Sequence, residues 1–103
     1  MAKTTKKDAG IPVIICVGEH GRAVVYGRAE REPEIGVPCR LTGARMVLYW
    51  SEECGGLLGL ASRGPREGTR ITHAVEATAA IPAQTIVVSD EAARAIEEWP
   101  AHG

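Results

Sequence analysis

Phenylalanine is absent from this chain, and two Trp and two Tyr are its only aromatic residues, 4% of 103 positions. A core therefore has to be assembled from Val, Ile, Leu and Ala, with four larger side chains at most. At this length the chain forms one domain, with a modest core that further burial in a homo-oligomer would help. Long apolar runs are also missing. None approaches the roughly 18 residues that a membrane-spanning helix needs, so no membrane association is expected. Cysteine is sparse: Cys16, Cys39 and Cys54 form an odd set without a C-x-x-C pair, and His20, His73 and His102 are scattered. That spacing fits neither a zinc site nor a disulfide framework, so no metal and no cofactor is expected. Sparse cysteine without a signal peptide points to a reducing, cytoplasmic setting. Net charge is lacking as well. Twelve basic and 13 acidic residues leave −1, which gives no pull toward duplex nucleic acid or anionic lipid.

The residues that are present read as a β-rich domain. Residues 1–10, polar and Lys-rich, are expected to form a flexible basic tail, and residues 11–103 a single domain. Ile11–Val17 and Arg22–Tyr26 are β-branched runs separated by Gly18-Glu-His-Gly21, the pattern of a hairpin. Gly27–Pro38, charged and interrupted by Pro33, reads as a surface loop. Cys39–Thr42 reads as a short strand. Ala44–Trp50 is the strongest strand, with Arg45, Val47 and Tyr49 on one face and Met46, Leu48 and Trp50 on the other. Both faces are largely apolar, which predicts a central strand or one covered on both sides. Leu57–Ala61 is expected to be a short strand, with Gly59 marking a bulge or the close approach of another group. Thr78–Val88 is strand-like, its better part Gln84–Val88 beyond Pro82. The spacing of Ala92, Ala95, Ile96 and Trp99 predicts one helix over 89–99, with Ser89 as its N-cap and Asp90 and Glu91 in its first turn. The fold class is α+β: a small, mostly antiparallel sheet or β-roll with one C-terminal helix.

The segment Gly55–Arg70 is the most unusual, with five glycines and the arginines Arg63, Arg66 and Arg70. Glycines admit anions to backbone N–H groups, and Arg supplies paired donors for phosphate or carboxylate. The same residues also suit a tight hairpin followed by a surface turn. It lacks the Gly-Lys-Ser/Thr of a P-loop. Tyr49 and Trp50 beside Arg45 would suit base stacking, or else fill the core. The candidate ligand-binding set is Arg45, Tyr49, Trp50, Ser62, Arg63, Arg66 and Arg70. A Cys54–His73 nucleophile pair is disfavoured, because Glu52 and Glu53 would raise the thiol pKa. The Glu52-Glu53 and Glu97-Glu98 pairs read as solvated surface. No catalytic residues stand out, and the chain is not expected to be an enzyme.

Arg45-Met-Val-Leu-Tyr-Trp-Ser51, Gly56-Leu-Leu-Gly-Leu-Ala61, Gly64-Pro65, Gly68-Thr-Arg-Ile71, Ser89-Asp-Glu-Ala92 and Trp99-Pro100 together resemble a family of small uncharacterised proteins of tailed phages and prophages, filed as a domain of unknown function. The resemblance runs from Arg22 to Pro100 and leaves out the tail and Ile11–Val17. It implies an accessory protein acting in the cytoplasm of a host bacterium. One expectation is a sponge that sequesters an anionic, nucleotide-derived immune signal. The alternatives are an inhibitor that binds a host protein and a minor virion or assembly protein.

Overall fold

A computed structural model describes residues 10–18 and 23–102. The expected tail and the Gly18–Gly21 turn fall mostly outside these residues. Six strands and two helices follow in order: β1 (Ile11–Val17), β2 (Ala23–Ala29), β3 (Cys39–Tyr49), α1 (Gly56–Arg63), β4 (Arg70–Ile71), β5 (Val75–Ala80), β6 (Gln84–Val87) and α2 (Asp90–Glu98). The fold is α+β.

The sheet is antiparallel in the order β4-β3-β2-β1-β6, with β5 pairing along the first half of β3. The β1–β2 hairpin pairs Ile11 with Ala29 through Val17 with Ala23. Cys39–Thr42 and Ala44–Trp50 are not separate strands; they merge into one strand through Gly43, which takes a left-handed φ of 59°. The pairing with β2 slips by one residue here, from Tyr26–Arg45 to Arg28–Thr42. Such a bulge reverses which side chains face which way. Leu41 and Ala44, three apart, consequently join the same core cluster.

Two clusters fill the protein. The first lies between the sheet and the helices: Ile14, Cys16, Val24, Tyr26 and Val47 meet Leu60, Ala61, Ala92, Ala93 and Ile96. The second contains only strand residues, chiefly Val13, Ile15, Ala29, Leu41 and Ala44. These are buried without help from a helix because the sheet curls over them. The chain itself forces the curl. Five strands side by side at about 4.8 Å spacing would hold β5 and β6 about 19 Å apart. Only Ile81, Pro82 and Ala83 join Ala80 to Gln84, a reach of at most about 15 Å. Pro82 is fully buried at this switch of partner strand, and the Gly36 amide donates to its carbonyl at 2.9 Å. Gly27 faces the same tight interior: a Cβ there would sit 2.8 Å from Leu41 Cβ.

The C-terminal helix follows its sequence signals. Ser89 Oγ accepts from the Ala92 amide at 3.0 Å and donates to the Ser62 carbonyl at 2.8 Å. Trp99 packs against the first cluster and donates from Nε1 to the Thr69 carbonyl.

The expected strand at Leu57–Ala61 is a helix instead. Gly55 and Gly56 turn the chain in the left-handed region, at φ 85° and 75°, after a 3-10 turn at Glu52–Cys54. Leu57, Leu60 and Ala61 then fall at helical spacing against the first cluster. Gly59 does mark a close approach, by the Cys54 carbonyl, 1.9 Å from where a Cβ would stand. No helix of the described residues is long and apolar enough to cross a membrane.

Candidate functional site

Arg45, central to the sequence-derived ligand set, is 5% exposed. Its Nη1 donates to the carbonyls of Ile96 at 2.7 Å and Glu97 at 3.3 Å, and its Nε to the Thr72 carbonyl at 2.7 Å. The guanidinium thus meets carbonyls at the last turn of α2, where the helix dipole favours a cation. Burial lowers its pKa. Arg45 ties β3 to α2 and to the segment after β4.

Glu97 does not behave as the solvated carboxylate its position at a helix end suggests. Its side chain is 19% exposed and accepts from Arg28 Nε at 2.7 Å and from Tyr26 hydroxyl at 2.6 Å. Nothing in the local sequence sets Glu97 apart from Glu98; Tyr26 and Arg28 on β2, 71 and 69 positions away in the chain, do so. Burial first, then the hydrogen bond and charge of Glu97, push the Tyr26 phenol far above its ordinary pKa.

The loop arginines divide. Arg63, on α1 rather than in a loop, donates to the Cys54 carbonyl at 2.9 Å. Arg66 folds back on the end of α1, its Nη1 reaching the carbonyls of Arg63, Gly64 and Pro65 at 3.2–3.5 Å. Arg66 thereby completes the last turn of a helix that Gly64 ends, whereas Arg63 reaches back to the turn that precedes that helix. Ser62, exposed on α1, donates to the Gly59 carbonyl at 3.4 Å. Arg70 is exposed and lies over the Tyr49 ring, 5.9 Å from its centroid, within cation–π range. Tyr49 is half exposed, whereas Trp50 packs against the first cluster. Of the seven residues, Arg70 and Tyr49 are therefore paired with each other, and Arg45, Arg63 and Arg66 hold backbone carbonyls.

Two depressions lie elsewhere. One, of about 880 Å³, is lined by Arg28, Glu30, Arg40, Thr42, Val75 and Glu76 among others. Another, of about 320 Å³, follows the Glu30–Arg40 loop. None of the seven residues lines either. Cys54 is buried, its thiol 3.3 Å from Thr69 Oγ1, and His73 is exposed. Burial raises the Cys16 and Cys39 pKa values, with Arg31 opposing the second. Among the described residues no group of three or more His, Cys, Asp or Glu is gathered as metal ligands would be.

The sequence reading did not foresee the open face of β3. The helices cover Arg45 and Val47, but Met46 and Leu48 on the opposite face are 42% and 49% exposed. Val75, on the neighbouring strand and paired with Ala44, is also exposed. Alternation located the faces of Arg45–Leu48 but not that of Trp50. That residue, expected beside Met46 and Leu48, is found against the first cluster, beyond the register shift after Val47. Alternation carried no signal that Met46 and Leu48 would stay uncovered.

No curated protein and no solved structure matches the chain. One family model does match, over residues 10–99, so the shared region includes β1, which the resemblance drawn from the sequence left out. On that match the chain belongs to the family described as a domain of unknown function, DUF6948.

Proposed function

We propose that this chain is a non-enzymatic binding protein whose target is another protein, and that it serves a phage or prophage in the cytoplasm of the host bacterium. The observation that carries a protein target is the exposed row Met46 and Leu48, with Val75 on the next strand. Large apolar side chains held in water on a rigid sheet gain free energy when a partner covers them. Three of the arginines that an anion-binding site would need are engaged by backbone carbonyls, which weighs against a phosphate-binding loop. The buried, hydrogen-bonded Cys54 thiol supports a role without nucleophilic catalysis. The phage setting rests on the resemblance of the Tyr49-Trp50-Ser51, Gly59-Leu60-Ala61 and Gly64-Pro65 motifs to phage and prophage proteins.

The test is affinity capture from host lysate with the wild type and a Met46→Ser/Leu48→Ser double variant. A host protein retained by the first and lost by the second, at unchanged melting temperature, supports the reading. Equal retention by both overturns it.

A second reading, sequestration of a nucleotide-derived anion, draws on the exposed Arg70–Tyr49 pair. It requires a thermal shift with cyclic dinucleotides, cyclic oligonucleotides or ADP-ribose derivatives that Arg70→Ala abolishes. A ligand at 100 times its dissociation constant adds about 2.7 kcal/mol. A flat panel removes this reading.

A further inference from the structure

The two ends of the strand run opposite β3 are treated differently by the chain. At β4, Ala101 bridges to Ile71 and the His102 amide donates to the Ile71 carbonyl at 2.8 Å. At β5, no strand among the described residues pairs with the outer edge; β5 pairs with β3 alone. Open edges are normally protected by Lys, Pro, a bulge or a covering segment, because their N–H and C=O groups recruit other strands. Val75-Glu-Ala-Thr-Ala-Ala80 has none of these within it, and its ladder with β3 shows no register shift. Its single charge is Glu76.

From this we infer that a second copy of the chain adds to the edge of β5, forming an antiparallel pair about a two-fold axis at Thr78. The edge is complementary to itself in that register. Thr78 meets the partner's Thr78, a favourable cross-strand pair, and Glu76 meets the partner's Ala80. The two carboxylates that a pairing centred on Glu76 would oppose stay apart. Val75 comes opposite the partner's Ile81; these are 51% and 56% exposed in the single chain, and the contact removes both from water. An edge-only contact falls at the small end of specific interfaces, so the pair dissociates on dilution. This inference shares Val75 with the protein-target surface but rests on the backbone edge of β5 and not on Met46 and Leu48, so its failure leaves the protein-target reading standing.

Sedimentation velocity over a concentration series tests it. The wild type is expected to rise from one to two chain masses as concentration increases. Thr78→Lys, which sets two like charges face to face, is expected to stay at one chain mass with an unchanged circular dichroism spectrum. In a Cys39→Ser background, Thr78→Cys is expected to form an interchain disulfide on oxidation in preference to Ser62→Cys on α1. A single-chain mass at every concentration overturns the inference, as does a dimer indifferent to Thr78→Lys or an equal disulfide yield at the two positions.

Discussion

Arg45 on β3 and Ile96 on α2 are joined by a 2.7 Å hydrogen bond from guanidinium to carbonyl, and that contact fixes how the C-terminal helix sits on the sheet. The neighbouring Arg28–Glu97 pair, reinforced by Tyr26, clamps the same helix end from β2. The end of α2 is thus held by two strands, while on the opposite face of β3 Met46 and Leu48 are left to the solvent.

Removing the Arg45 side chain is expected to be costly. Arg45→Ala takes a donor from the Thr72, Ile96 and Glu97 carbonyls, of which Ile96 keeps the Trp99 amide. That leaves up to two unpaired, and buried unpaired polar groups cost about 1–3 kcal/mol each. A loss of roughly 2–4 kcal/mol is expected in urea unfolding, at the upper end of single substitutions. A loss below about 0.5 kcal/mol, as at ordinary surface positions, would mean that the clamp contributes little.

Tyr26 confers an alkaline limit. Its phenol is held neutral in the folded state, with a pKa above the ordinary value near 10. A raised pKa means that the folded state keeps the proton longer than the unfolded state does. The stabilisation is therefore complete below about pH 10 and declines as pH rises beyond it. Melting temperature is expected to fall above pH 10 in the wild type, and more gently in Tyr26→Phe. At neutral pH that variant is expected to lose about 1 kcal/mol, one hydrogen bond.

Gly59→Ala separates a helix from a strand at Leu57–Ala61. Alanine is intrinsically better than glycine in a helix by about 1 kcal/mol. Its Cβ would nevertheless lie 1.9 Å from the Cys54 carbonyl oxygen, so the 3-10 turn or α1 must move. A net loss of at least about 2 kcal/mol is expected, in the range of overpacking substitutions. A more stable Gly59→Ala protein would refute this close packing.

Ser89→Ala removes both the cap on Ala92 and the bond to the Ser62 carbonyl. A loss of about 1–2 kcal/mol is expected, read as a lower midpoint in thermal unfolding. Ser62→Ala keeps the carbonyl that Ser89 uses and is expected to change stability by less than about 0.5 kcal/mol.

The sequence by itself determined the strands built on β-branched runs and the helix with clear end signals. Ile11–Val17 and its hairpin partner are β-branched runs parted by glycines, and Ser89, Asp90 and Glu91 followed by a 3.6-residue apolar stripe leave α2 no competitor. These signals are local, so neighbouring residues suffice to express them. Leu57–Ala61 was misread because Leu-Leu-Gly-Leu-Ala is too short for either period to prevail, and its helical state depends on the left-handed Gly55 and Gly56 and on the core that receives Leu60. The roles of the charged residues were decided by tertiary structure alone. Arg45, Arg63 and Arg66 look like ligand-binding arginines because Arg donors suit phosphates and backbone carbonyls equally well, and only the packed chain shows which acceptor stands opposite. Glu97 and Glu98 are neighbours of identical chemistry, set apart by residues on a distant strand. The sequence likewise gives both faces of β3 as apolar; that Val47 is buried while Met46 and Leu48 meet water followed from both helices packing on the Val47 side, where the two faces look alike in the sequence.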